Sequence, residues 1–198
     1  DISADGRWVA FATLAYNLGG DTNGTYRDVY VHDRTLHITS IASLTDGDAQ
    51  VGSHDVDWPS ISNDGQKVAF ISDGVMTPTG VLAATLTGHR DSLANQVRAL
   101  AFDPSSDALA TSGRDRTIRL YPPDLSKASG VVTSPNGAIS AMPFTKDGRH
   151  IVAGGWWRLE VLDTKTLQFV KSFTAPTSIT SIELASDDRY AIWGHSQG

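Results

Sequence analysis

VRALAFDPSSDALATSGRDRTIRLY, residues 97–121, reads as three short strands separated by two tight turns. Apolar and polar or small residues alternate over 97–102, a Pro-Ser-Ser-Asp turn follows at 104–107, and a second run over 108–111 leads through Gly113, Arg114 and Asp115 into a third at 117–121. Period-two alternation rich in β-branched and aromatic residues is the mark of half-buried strands, and helical periodicity is absent.

The same polar turn returns along the chain. It is Ser3-Ala4-Asp5-Gly6-Arg7, Ser62-Asn63-Asp64-Gly65-Gln66, Pro104-Ser105-Ser106-Asp107, Thr145-Lys146-Asp147-Gly148-Arg149 and Ser186-Asp187-Asp188-Arg189. With Asp5, Asp64, Asp107, Asp147 and Asp187 as anchors, the spacings are 59, 43, 40 and 40 residues. Strands are expected before the turns at 56–61, 97–102, 139–144 and 179–184, and after them at 8–12, 67–71, 108–111, 150–153 and 190–193. Third strands are expected at 28–32, 117–121 and 159–163, and fourth strands at 38–42, 81–86, 131–133 and 168–173. Four short antiparallel strands per forty residues is the arithmetic of a propeller blade. The expected fold is therefore an all-β propeller of four-stranded antiparallel blades, four blades plus a partial fifth. It forms a single propeller domain or propeller fragment with units at about 1–55, 56–96, 97–137, 138–178 and 179–198. The second unit leaves little room for a third strand between Ile71 and Val81.

Composition excludes several classes of function. The 198 residues are 40% hydrophobic and 19% charged, far from the profile of disorder, while 18 Gly and 8 Pro announce many turns. Sixteen basic against 22 acidic residues, a net charge of −6, argue against nucleic acid or an anionic membrane as partner, because counterion release needs a basic patch. No cysteine is present, which removes disulfides, thiolate metal sites and a cysteine nucleophile and leaves the redox compartment open. No apolar run approaches a membrane span, and the first residues, DISADGRWVAF, carry no leader pattern.

Two repeat families are resembled. ISADGRWVAF (2–11), NLGGDTNGTYRDVYVHDR (17–34) and SISNDGQKVAF (60–70) are similar to TolB-like propeller repeats, over residues 1 to about 74. TLTGH (85–89) followed by VRALAFDP and ALATSGRDRTIRLY resembles a WD repeat over 81 to about 125, and residues 138–178 fit the same architecture more loosely. The WD resemblance implies a buried hydrogen-bonded tetrad at His89, Thr111, Asp115 and Tyr121, with a tyrosine where the family usually has tryptophan. It thereby implies a structural histidine and no ligand. In the fourth unit Trp156-Trp157 stands where the turn aspartate belongs, so aromatic packing is expected to hold that blade.

Few groupings carry chemistry. Asp21, Asn23 and Asp28 flank an Asn-Gly turn at a spacing near that of a calcium loop, but the ligand pattern is incomplete, and a plain hairpin is the simpler account. GHSQG (194–198) resembles the nucleophile elbow of α/β-hydrolases and makes Ser196 a weak catalytic candidate, although no acid or histidine follows it. Six dispersed histidines give no metal site, and no cofactor is expected. The favoured reading is a non-catalytic scaffold that binds a protein or peptide through Trp58, Arg98, Trp156, Trp157 and Arg158, since Trp and Arg dominate interface hot spots. The alternative is a sensor or regulatory propeller within a larger serine hydrolase. A third reading is a mosaic or engineered propeller without evolved activity. Unpaired blade edges further predict a homo-oligomer.

Overall fold

The computed structural model describes residues 1–18, 26–43, 56–72, 86, 88–89 and 97–195, and every regular element among them is a β-strand. The chain divides into two compact units, Asp1–Thr85 and Leu86–Gly198. In the first, β1 (Trp8–Thr13), β2 (Asp28–Asp33) and β3 (Ile38–Ile41) form one antiparallel sheet in that order, and β4 (Val56–Ile61) pairs with β5 (Val68–Ser72). Val29 on β2 is wholly buried and is packed by Ala12, Ala42, Val68 and Phe70, each on the inward phase of its own run. The stretch 73–85, with the expected fourth strand and the short second unit, lies outside the described residues.

The second unit contains two complete blades and a pair. One sheet is β6 (Val97–Phe102), β7 (Leu109–Gly113), β8 (Thr117–Tyr121) and β9 (Gly130–Thr133), in sequence order. The next is β10 (Ile139–Ala141), β11 (His150–Gly155), β12 (Arg158–Asp163) and β13 (Gln168–Thr174). β14 (Ile179–Leu184) and β15 (Ala191–His195) complete the list of strands. Stacked sheets explain why β11 reads HIVAGG, apolar or small after its first residue. Ile151 and Ala153 enter the cluster with Ala99, Ala110, Ile118, Ile139, Met142 and Leu162, whereas Val152 between them enters the cluster with Leu159, Ile179 and Ile182. Both faces of that strand are buried, so period two survives in direction but not in polarity. The expected strand over 139–144 is shorter than the alternation suggests. Pro143 has no N–H to donate, the β10–β11 register shifts between Ile139 and Ala141, and only the Phe144–Ile151 bridge continues beyond.

The recurring turn has a physical cause that its sequence spells out. The Ser3 hydroxyl donates to Asp5 at 2.6 Å and accepts from the Trp8 amide at 3.0 Å, while Asp5 accepts from the Arg7 amide at 2.9 Å. Ser62, Asp64 and Lys67 repeat this at 2.6, 2.9 and 2.9 Å, and Thr145, Asp147 and His150 repeat it at 2.8, 3.0 and 3.1 Å. The residue after each aspartate must be left-handed, and Gly6, Gly65 and Gly148 have φ of 70°, 72° and 68°. The third copy is rearranged. Asp107 is not its carboxylate anchor; it takes the left-handed position at φ 57°, and Asp103 supplies the carboxylate, accepting from the Ser105 and Ser106 hydroxyls at 2.8 and 2.6 Å.

Candidate functional site

The resemblance placed His89, Thr111, Asp115 and Tyr121 together, and the structure joins the first three. His89 is 9% exposed. Its Nδ1 lies 3.0 and 3.1 Å from the two Asp115 oxygens, and its Nε2 lies 2.7 Å from Thr111 Oγ1. With the imidazole neutral, Nδ1–H donates to the carboxylate and Nε2 accepts the threonine proton, so both ring nitrogens are satisfied. Thr117, which the sequence reading passed over, adds its amide and hydroxyl to Asp115 at 3.0 and 2.9 Å. Tyr121 is buried but makes no hydrogen bond to these groups. It packs on Gly88 instead, where a Cβ would stand 2.8 Å from the phenol oxygen and 3.0 Å from Arg119 Cδ.

Burial pushes His89 below its ordinary pKa and the Arg119 guanidinium adds to the effect, against the upward pull of Asp115. For Asp115 burial acts upward, but the Thr117 amide, His89 and the Thr117 hydroxyl outweigh it and hold the carboxyl below its usual value. The arrangement binds the connector before β6 to the two strands behind it. A neutral imidazole boxed in by its own blade is poorly placed to serve a substrate.

Blade 4, the sheet β10–β13, overturns one expectation. Trp156 and Trp157 do not pack the blade together: they are 66% and 62% exposed, and Trp157 holds φ 64°. The tie is made by Glu160, an acid inside the apolar strand RLEVLD and 3% exposed. It accepts from the Ser134 hydroxyl at 3.0 Å and from Asn136 Nδ2, and so anchors the connector before β10 as His89 anchors the one before β6. An acid on a central strand between two apolar neighbours was the signal that sequence reading could have used.

The remaining candidates are scattered. Arg158 is exposed beside the tryptophans, with Nη1 donating to Ser172 Oγ at 3.0 Å. Together with Glu160 and Asn136, Trp156 and Arg158 line a small polar cleft open to solvent, with room for about one water molecule. Trp58, in the first unit, is 59% exposed at a bulge in β4 with φ 47°, and Arg98 is half-buried on β6. Asp21, Asn23 and Ser196 lie outside the described residues. Asp28 is buried and accepts from Ser43 at 2.8 Å, a commitment to its own hairpin. Among the described residues no group of three or more His, Asp or Glu stands close enough to hold a metal ion, and no helix is long and apolar enough to cross a membrane. The sequence reading also missed Arg7, whose guanidinium grips Asp33 through Nη2 at 2.6 Å and Nε at 3.1 Å and lies 4.6 Å over the Trp8 ring. That grip, with the Leu36 and Thr35 amides, holds the Asp33 carboxyl far below the usual carboxylate range.

Known proteins resemble this chain in sequence and fold. The WD domain, G-beta repeat family matches residues 80–121, the segment that contains His89, Thr111 and Asp115. That segment has WD-repeat character. An uncharacterized WD repeat-containing protein of Synechocystis is 30% identical over 167 residues, covering 78% of this chain and 40% of the relative. A chain in the crystal structure of a mitotic checkpoint complex superposes with a TM-score of 0.67 at 14% identity, covering 85% of this chain and 53% of that one. The fold is thus a β-propeller. The chain spans well under two thirds of the length of either.

Proposed function

We propose that this propeller chain is a non-catalytic scaffold that docks a protein or peptide, with the Trp156-Trp157-Arg158 turn of blade 4 as its contact surface. The observation that carries the reading is the pair of consecutive tryptophans held out of the core, one of them in a backbone region that bulky residues avoid. Large amphipathic rings displayed on a rigid hairpin beside a polar cleft are the usual anchors of an interface. WD-repeat character supports the same reading. Selection from a displayed peptide library, with counter-selection against Trp156→Ala/Trp157→Ala, tests it. Peptides that enrich on the wild type and discriminate against the double variant are expected, and enrichment that ignores both rings would contradict it.

The TolB-like reading of residues 1–74 rests on its sequence resemblance, since the bonding of the Asp5 and Asp64 turns recurs at Asp147. The juxtaposition of that resemblance with the WD repeat at 80–121 is what favours a mosaic or engineered origin. The hydrolase alternative rests on GHSQG alone. A fluorophosphonate probe is expected to leave Ser196 unlabelled, and labelling lost in Ser196→Ala would promote that alternative.

A further inference from the structure

Blade 4 buries an acid, Glu160, with no basic partner among the described residues. Hydrogen bonds reach Glu160 only from the neutral donors Ser134 and Asn136, and no Lys, Arg or His stands within ion-pair distance among the described residues. Buried charges are ordinarily paired, because an uncompensated ion in a poorly solvated site is costly. A carboxylate can accept about four hydrogen bonds, so Glu160 has capacity left after these two. Its neighbour Arg158 does not fill it. That guanidinium is directed to Ser172 Oγ on the solvent side, although it lines the same cleft.

The cleft itself restricts what enters. It admits a group about the size of a water molecule, and its lining includes Trp156, two-thirds exposed. A primary ammonium is compact and carries three donors, whereas a planar guanidinium needs a wider slot. An aliphatic stem can lie along an indole, and a cation near that ring gains further attraction.

We infer that this cleft receives a lysine side chain of the docked protein, with its ammonium donating to Glu160 and its methylenes against Trp156. The inference rests on the scaffold reading and adds the chemistry of the residue recognised. Arg158 opposes the incoming cation from an exposed, screened position, and so limits affinity without blocking it.

The test is a titration of the full chain with the peptide acetyl-Gly-Lys-Gly-amide, following the Trp156 and Trp157 indole N–H signals by NMR. A saturable shift of the Trp156 signal is expected. The Nε-acetylated peptide, which lacks the charge, and the Glu160→Gln variant should each bind about tenfold more weakly or worse. Arg158→Ala should bind the lysine peptide more tightly, and Asp187→Asn, an exposed acid elsewhere, should leave affinity unchanged. If Glu160→Gln fails to fold, Trp156→Ala, at an exposed position, takes its place with Trp157 as the reporter, and must weaken binding. No saturable shift, equal binding of the acetylated peptide, or equal loss in Asp187→Asn overturns the lysine subsite. Library peptides that need both tryptophans but contain no lysine would overturn it as well, while leaving the scaffold reading intact.

Discussion

His89 shows how one side chain can be both buried and fully satisfied. Removing either partner leaves the other without its hydrogen bond in a dry site, which costs about 1–3 kcal/mol. His89→Ala and Asp115→Asn are therefore each expected to lower the melting midpoint by several degrees, read by circular dichroism, and unchanged midpoints would contradict the network. The same residue sets a pH dependence. Its folded pKa lies below 6.5, so between the two values the unfolded chain binds more protons than the folded one, and stability falls as pH falls below about 6.5. A second loss follows at stronger acid. Asp5, Asp33, Asp64, Asp115 and Asp147 all lie below 3.8 in the folded state, and the stability they contribute above 3.8 disappears as pH drops through their folded values. Melting curves from pH 7.5 to 5 should show the first decline in the wild type and a flatter profile in His89→Gln, where Asp115 and Arg119 face a group that does not titrate.

The turns at Asp5, Asp64 and Asp147 are each a small machine of one hydroxyl, one aspartate and one left-handed glycine. Gly148→Ala places a Cβ at φ 68°, against the Asp103 and Ser105 side chains of the neighbouring turn. A loss of about 1 kcal/mol or more is expected in urea unfolding, since Ala is strained where φ is positive. An equal loss at Gly130, where φ is not positive, would show that crowding rather than backbone strain decides. These turns and the strands around them were legible because both follow local rules: alternation located the described strands to within about two residues, except that β10 ends three residues earlier than expected. What escaped depended on neighbours. Asp107 has the right letter at nearly the right spacing, but it takes the left-handed position, and Asp103, two and three residues before the serines, accepts their hydroxyls. Glu160 looks like a solvent-facing strand acid until the connector with Ser134 and Asn136 folds over it. Trp156 and Trp157 look like core residues, and only the geometry of the β11–β12 turn shows that they point outward. The site was thus legible as a set of residue types, and its inside and outside were not.

At the scale of the whole molecule every described element is a β-strand, and some large apolar side chains stand exposed at the edges of these sheets. The described edge strand β15 is flanked by Tyr190 and carries Ile192 and Trp193, which are 67%, 75% and 43% exposed. Unpaired strand edges with apolar side chains invite a second copy, so the 198-residue chain is expected to self-associate at micromolar concentration in light scattering. Ile192→Lys should restore a monomer, and a wild type that is strictly monomeric would contradict edge pairing. The central claim concerns docking through blade 4. Isothermal titration of one library-selected peptide against the wild type and Trp156→Ala/Trp157→Ala, both confirmed folded by their melting curves, addresses it most directly. The account predicts that the double variant loses at least about tenfold in affinity, some 1.4 kcal/mol, and equal affinities for the two proteins would contradict it.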